Sequence, residues 1–127
     1  MTVRLDEATG VMAADIMHRH LTTLPASTTI PELREYFAAS GSRRLALFVD
    51  GERYAGCLMR DDLPEDDGAA LADHLSREPV ARASEPAELA RDKALAHPSR
   101  RAAIVDDAGA LVGIVAINRA RDGFCGA

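Results

Sequence analysis

The sequence predicts a mixed α/β (α+β) chain in which one βαββα unit is written twice. Four matches carry that prediction. Ser42-Arg43-Arg44 recurs as Ser99-Arg100-Arg101, 57 positions on, and Val49-Asp50 recurs as Val105-Asp106, 56 on. Gly56 recurs as Gly113, again 57 on, each followed by an apolar pair, Cys57-Leu58 and Ile114-Val115. Upstream, Ile30-Pro31-Glu32-Leu33 parallels Glu85-Pro86-Ala87-Glu88-Leu89 with one insertion. Each match is short, but their shared order and spacing mark a duplication, with one residue of difference between the copies.

In the first copy, Leu21-Thr22-Thr23-Leu24 reads as a short β segment closed by Pro25. A helix follows from Ile30 to about Ser40. Thr29 stands at its N-cap with Glu32 three residues on, a capping box that satisfies backbone donors the helix start leaves open. Ile30, Leu33 and Phe37 fall on one helical face, and Gly41 is expected to end the helix at positive φ. Leu45 to Val49 reads as a buried strand, Asp50-Gly51 as a turn, Tyr54 to Met59 as a second strand, and Arg60 to Leu63 as the start of a short closing helix.

The second copy opens on Ala69 to Arg77, expected to be an amphipathic helix with Leu71 and Leu75 on one face. Pro79-Val80-Ala81 is its short β segment, and Ser84 is the expected cap of a helix running from about Pro86 to Ala96, which Pro98 ends. Ala102 to Val105 and Leu111 to Ala116 are strands joined by Asp106-Asp107-Ala108-Gly109. The polar tract Pro64-Glu65-Asp66-Asp67-Gly68 reads as the linker. The expected organisation is an N-terminal tail at 1–10, repeat one at 11–63, a linker at 64–68, repeat two at 69–122, and a C-terminal tail at 123–127.

With 127 residues, neither half would bury much surface alone, so the copies are expected to share a core. A net charge of −5 argues against nucleic acid or an anionic membrane as the main partner. No apolar run approaches the roughly 20 residues that span a bilayer, and Met1 to Gly10 lacks the order of a signal peptide, so the cytoplasm is the expected home. His18 and His20 stand two apart, but His74 and His97 lie far along the chain, and zinc needs three or four ligands. No metal site is expected. Cys57, after Gly56 in a buried strand, reads as a core residue, and a redox role for Cys57 and Cys125 stays open. No nucleophile elbow, glycine-rich phosphate loop or facing carboxylate pair is present. Catalysis is therefore not expected.

The doubled pattern of Arg-Arg, apolar run, Val-Asp, turn, then Gly with two apolar residues resembles the tandem cystathionine-β-synthase (CBS) pair, or Bateman module. Asp15-Ile16-Met17 is similar to the family's motif ahead of the first strand, and Arg60-Asp61-Asp62-Leu63 to its closing segment. The resemblance covers about Val11 to Asp122. It implies two βαββα repeats packed with pseudo-twofold symmetry, a homodimer, and adenosine-containing ligands held in clefts between the repeats. The family's ligand pattern is Gly, two apolar residues, Thr or Ser, any two residues, then Asp. A hydroxyl and nearby amides hold phosphate, and the carboxylate accepts from both ribose hydroxyls, a fit of two donors to an acceptor-only group.

Carried onto this chain, the pattern gives Met59 and Asp62, with Arg60 between them, in the first copy and Arg119 in the second; Arg44 and Arg101, just before the central strands, and Thr22 complete the candidate ligand-binding residues. The copies have decayed unequally. Gly56-Cys57-Leu58-Met59-Arg60-Asp61-Asp62 keeps the ribose carboxylate but puts Met59 at the hydroxyl position. Gly113-Ile114-Val115-Ala116-Ile117-Asn118-Arg119 keeps neither. At about 1 kcal/mol for a neutral hydrogen bond and about 1.5–3 for one to a charged group, the first site loses about one decade of affinity and the second two to three. Asp62 is either the ribose acceptor or a helix-start cap; Arg44 and Arg101 are either phosphate clamps or surface ion-pair residues; Arg119 is either a phosphate contact or a partner of Asp122. The implied function is a regulatory module that senses an adenine nucleotide (AMP, ADP, ATP or similar) in one cleft and acts in trans on a protein effector, with no cofactor required. The alternative is a ligand-free interaction and dimerisation module.

Overall fold

The computed structural model describes residues 4, 10–19, 21–118, 120–121 and 123–124. Along them run α1 (Ala13–Ile16), β1 (Thr23–Pro25), α2 (Ile30–Ala38), β2 (Leu45–Asp50), β3 (Arg53–Met59), β4 (Val80–Arg82), α3 (Ala87–Ala96), β5 (Arg101–Val105) and β6 (Leu111–Ala116), with 3-10 turns at Arg60–Asp62 and Leu71–His74. Contacts divide the chain into two units. One is contiguous, Thr22–Arg77; the other joins Met1–Leu21 to Glu78–Ala127.

In the contiguous unit the expected capping box forms. Thr29 N–H donates to Glu32 Oε1 at 3.1 Å while Glu32 N–H donates to the Thr29 hydroxyl at 3.3 Å. Ile30, Leu33 and Phe37, spaced along one face of α2, are buried on a three-stranded sheet ordered β1-β2-β3. Strand alternation decides which side chains meet them: Ala46 and Phe48 of β2 and Leu58 of β3 complete that core, with Leu71 from beyond the linker. β1 runs parallel to β2 and β3 antiparallel to it.

The second unit repeats this plan. Its sheet is ordered β4-β5-β6, with β4 parallel and β6 antiparallel to β5. The register slips between Phe48 and Val49 in one sheet and between Ile104 and Val105 in the other, positions 56 apart. Its core is built differently. α3 buries only alanines, Ala87, Ala90 and Ala94, and the volume they leave is filled by Ile16, Met17 and Phe124.

Each copy is preceded by a lead-in segment that pairs with the third strand of the other copy's sheet. Ser76 and Cys57 exchange backbone hydrogen bonds of 3.0 and 2.7 Å, and His18 and Ile114 exchange bonds of 2.7 and 3.0 Å. These pairs explain the repeated glycines. A Cβ on Gly56 would lie 3.0 Å from Ser76 O, at φ +141, and one on Gly113 would lie 2.5 Å from Met17 Sδ and 3.1 Å from His18 O. The sequence alone places a linker at 64–68. The packing division falls later, after Arg77, because residues 69–77 pack with the copy before them.

Four local expectations are corrected. Ala69 to Arg77 is not a helix: only Leu71–His74 turns, as 3-10, because Ser76 is drawn into backbone pairing with Cys57. Leu71 is nevertheless buried, as its apolar character requires. Gly41 is not at positive φ; α2 stops on Ala39 in right-handed geometry, and arginine side chains serve its last carbonyls. Ser84 does not cap α3. Pro86 holds the N-cap position, and Ala87 N–H is satisfied instead by Val11 O at 2.8 Å. The Arg-Arg pairs are not in register. Leu45 faces Met59 and Arg101 faces Ala116, so the counterpart of Arg44 is Arg100, not Arg101. The shorter loop of the second copy takes up the missing residue with Arg100 in the left-handed region, at φ 54.

Candidate functional site

Register brings most of the first copy's candidate residues to one end of one sheet. Thr22 immediately precedes β1, and Arg44 immediately precedes the parallel β2. Met59 ends the antiparallel β3 opposite Leu45, and the 3-10 turn Arg60–Asp62 follows at once. Arg60 N–H donates to Arg44 O at 2.8 Å, fastening the turn to the start of β2. Thr22, Arg44 and Asp62 are exposed and Met59 and Arg60 half-buried.

These side chains differ in what they already hold. Asp62 is the third residue of its turn and caps nothing; the N-cap is Met59, with no side-chain cap. Among the described residues neither the Asp62 carboxylate nor the Arg44 guanidinium has a hydrogen-bond or ion-pair partner. Arg60 is fully engaged. Its Nη1 donates to Gly41 O at 2.9 Å, and its Nη2 donates to Phe37 O and, at 3.4 Å, to Ser40 O. Its guanidinium also lies 5.6 Å from the centre of the Phe37 ring. Arg60 thus closes the C-terminus of α2, where unpaired carbonyls need donors. Arg43, half of the first Arg-Arg pair, is likewise engaged, donating to Tyr36 O at 2.8 Å and stacking 4.2 Å over the Tyr36 ring.

What is left at this end of the sheet is an acceptor-only carboxylate, a hydroxyl and a guanidinium. A carboxylate of this kind accepts two donors at once, and a guanidinium offers a planar fork to phosphate. Met59 adds a half-buried apolar side chain at the end of β3. Behind it, Cys57 is 5% exposed, and burial pushes its thiol above the ordinary range, with a hydrogen bond from Tyr54 acting the other way. Burial of this kind makes a thiol a poorer nucleophile than an exposed cysteine. Among the described residues no group of three or more His, Cys, Asp or Glu is placed to hold a metal ion. A shallow groove between the far end of β1 and α2 is lined by Glu32 and Glu35 beside Thr28 and Tyr36, an acidic lining unsuited to phosphate.

The second copy offers less. Arg101 is half-buried, its Nη1 donating to Ser99 O at 3.4 Å, and Ala116 opposite it is buried and has no polar group. Arg119, with His20, Asp122 and Cys125, lies outside the described residues.

A family model described as the CBS domain matches residues 13–64. Solved structures match over most of the length. The CBS-pair protein CBSX2 from Arabidopsis thaliana superposes with a TM-score of 0.70 at 23% identity, covering 85% of this chain and 89% of that one. The chain carries a CBS domain and has the fold of a tandem CBS pair. CBSX2 in complex with AMP gives a TM-score of 0.68 at 23% identity, covering 88% of this chain and 93% of that one. The cytosolic domain of the Mg2+ channel MgtE in complex with ATP gives 0.67 at 22%, covering 88% of this chain and 48% of that one. At these identities the likeness is one of fold. No curated protein sequence matches the chain. Among the described residues no helix of this CBS pair is long and apolar enough to cross a membrane.

Sequence reasoning missed the engagement of Arg43 and Arg60. Both serve carbonyls of α2, and that signal was present in the absence of a working C-cap after Ala39, had Gly41 not been given the task. It also missed Arg34, which lies on the outer face of α2 and holds the linker.

Proposed function

We propose that this CBS pair is a cytoplasmic, homodimeric regulatory module that binds an adenine nucleotide through the first copy and acts in trans on a protein partner. The observation that carries the reading is the Asp62 carboxylate, exposed and uncommitted at the end of the sheet where Thr22 and Arg44 also stand. Asp62 accepts from the ribose hydroxyls, Arg44 faces phosphate, and Thr22 supplies a hydroxyl beside them. The adenine nucleotides in the structures of CBSX2 and MgtE support this ligand class. The second copy holds no nucleotide, since Ala116 stands at the hydroxyl position and Arg119 at the carboxylate position. The role is regulatory rather than catalytic, because none of the uncommitted groups is paired with a base or nucleophile.

The second reading, a ligand-free interaction module, is favoured by Met59 in place of a hydroxyl. Thermal shift over AMP, ADP and ATP separates the two. A ligand at one hundred times its dissociation constant adds about 2.7 kcal/mol to stability, and Asp62→Ala is expected to abolish the shift. No movement with any of the three at millimolar concentration overturns the nucleotide reading and leaves the interaction module.

A further inference from the structure

We infer that Arg34 and Arg60 are two clips that lay residues 60–67 along α2, and that Arg34, which no motif singles out, is a positioning residue for Asp62. This rests on the reading of Asp62 as the ligand acceptor. Arg34 Nη2 donates to Asp67 Oδ1 at 2.6 Å, to Pro64 O at 3.3 Å and to Glu65 O at 3.4 Å. Arg60, at the other end of the segment, serves the carbonyls of Phe37, Ser40 and Gly41. The segment therefore runs back along α2 from its C-terminus towards its middle. Between the clips Leu63 packs against the core formed by Ile30, Leu33 and Phe37. Asp62 is one residue from that anchor, in a turn closed by Leu63 N–H on Arg60 O at 3.2 Å.

Neither guanidinium touches the Asp62 carboxylate; both act on the backbone that carries it. Arg34 and Asp67 are 44% and 65% exposed, so their ion pair alone is weak in water. The two carbonyls add what the pair lacks, because a guanidinium offers several donors in a fixed fork where lysine offers a point charge. The acidic tract is thereby a strap fastened to α2 by one arginine.

Hydrogen exchange on the full chain without nucleotide tests the clip, and AMP titration of the same variants tests its consequence. In Arg34→Gln, the hydrogen-bonded amides of Leu63, Gly68 and Ala69 should exchange about 3- to 10-fold faster while those of β2 stay unchanged. AMP affinity should fall by about the same factor. Arg34→Lys should be intermediate in both, and exchanging the charges (Arg34→Asp with Asp67→Arg) should recover part of the loss relative to either single change. Unchanged exchange in Arg34→Gln overturns the clip, whatever AMP does. Faster exchange with unchanged AMP affinity overturns the positioning role while the AMP site stands. If the wild-type chain binds no AMP, the nucleotide reading and the positioning role both fall, and exchange alone judges the clip.

Discussion

Thr29 and Glu32 form a reciprocal capping box, and its consequences are measurable one residue at a time. The Thr29 backbone and hydroxyl both donate to the Glu32 carboxylate and hold its pKa below the ordinary glutamate value of 4.5. A carboxylate with a depressed folded pKa contributes stability that is present above the unfolded value and lost as pH falls through the folded one. Thr29→Ala removes the N-cap and should cost about 1 kcal/mol near neutral pH. The gap between variant and wild type in urea titrations should narrow as pH drops below the usual carboxylate range. A gap that stays constant down to pH 2 would show that Glu32 takes no part. Here the sequence was sufficient, because both partners lie within one turn of helix.

At the scale of elements, what the sequence did not reveal has a common cause: the partner is distant along the chain. Gly41 and Ser84 are the residues local rules select to finish one helix and start another, yet neither does so. The end of α2 is served by Arg60, 19 to 23 positions away, and the start of α3 by Val11. Residues 69–77 have a helical apolar spacing, but Ser76 is worth more as a strand partner of Cys57, and the helix is given up for one short turn. The strands were legible because their apolar runs are bounded by turns, and Leu111–Ala116 falls where the sequence places it. The one-residue offset between copies was also legible, but its location was not, since the Arg-Arg match conceals a slip of register. The engagement of Arg60 is testable directly. Arg60→Met keeps an unbranched apolar stem and removes the donors, and should destabilise the chain by about 1.5–3 kcal/mol with an unchanged denaturant slope. A loss below about 0.5 kcal/mol would mean that water satisfies those carbonyls equally well.

Over the whole molecule, a duplication visible in sequence gives two units of the same topology with unequal cores. One core rests on Ile30, Leu33 and Phe37 of α2; the other pairs the alanines of α3 with Ile16 and Met17 from the lead-in segment. Asp62 could be named from the sequence because its type and spacing carry the family pattern. That its carboxylate is uncommitted while Arg60 is not depends on packing, and only the structure distinguishes them. Isothermal titration of AMP into the full chain, with Asp62→Ala and Arg101→Ala beside the wild type, tests this account most directly. One AMP per chain is expected, with an affinity at least about tenfold weaker in Asp62→Ala and no change in Arg101→Ala. Two AMP per chain, or binding that survives Asp62→Ala and fails in Arg101→Ala, would contradict it.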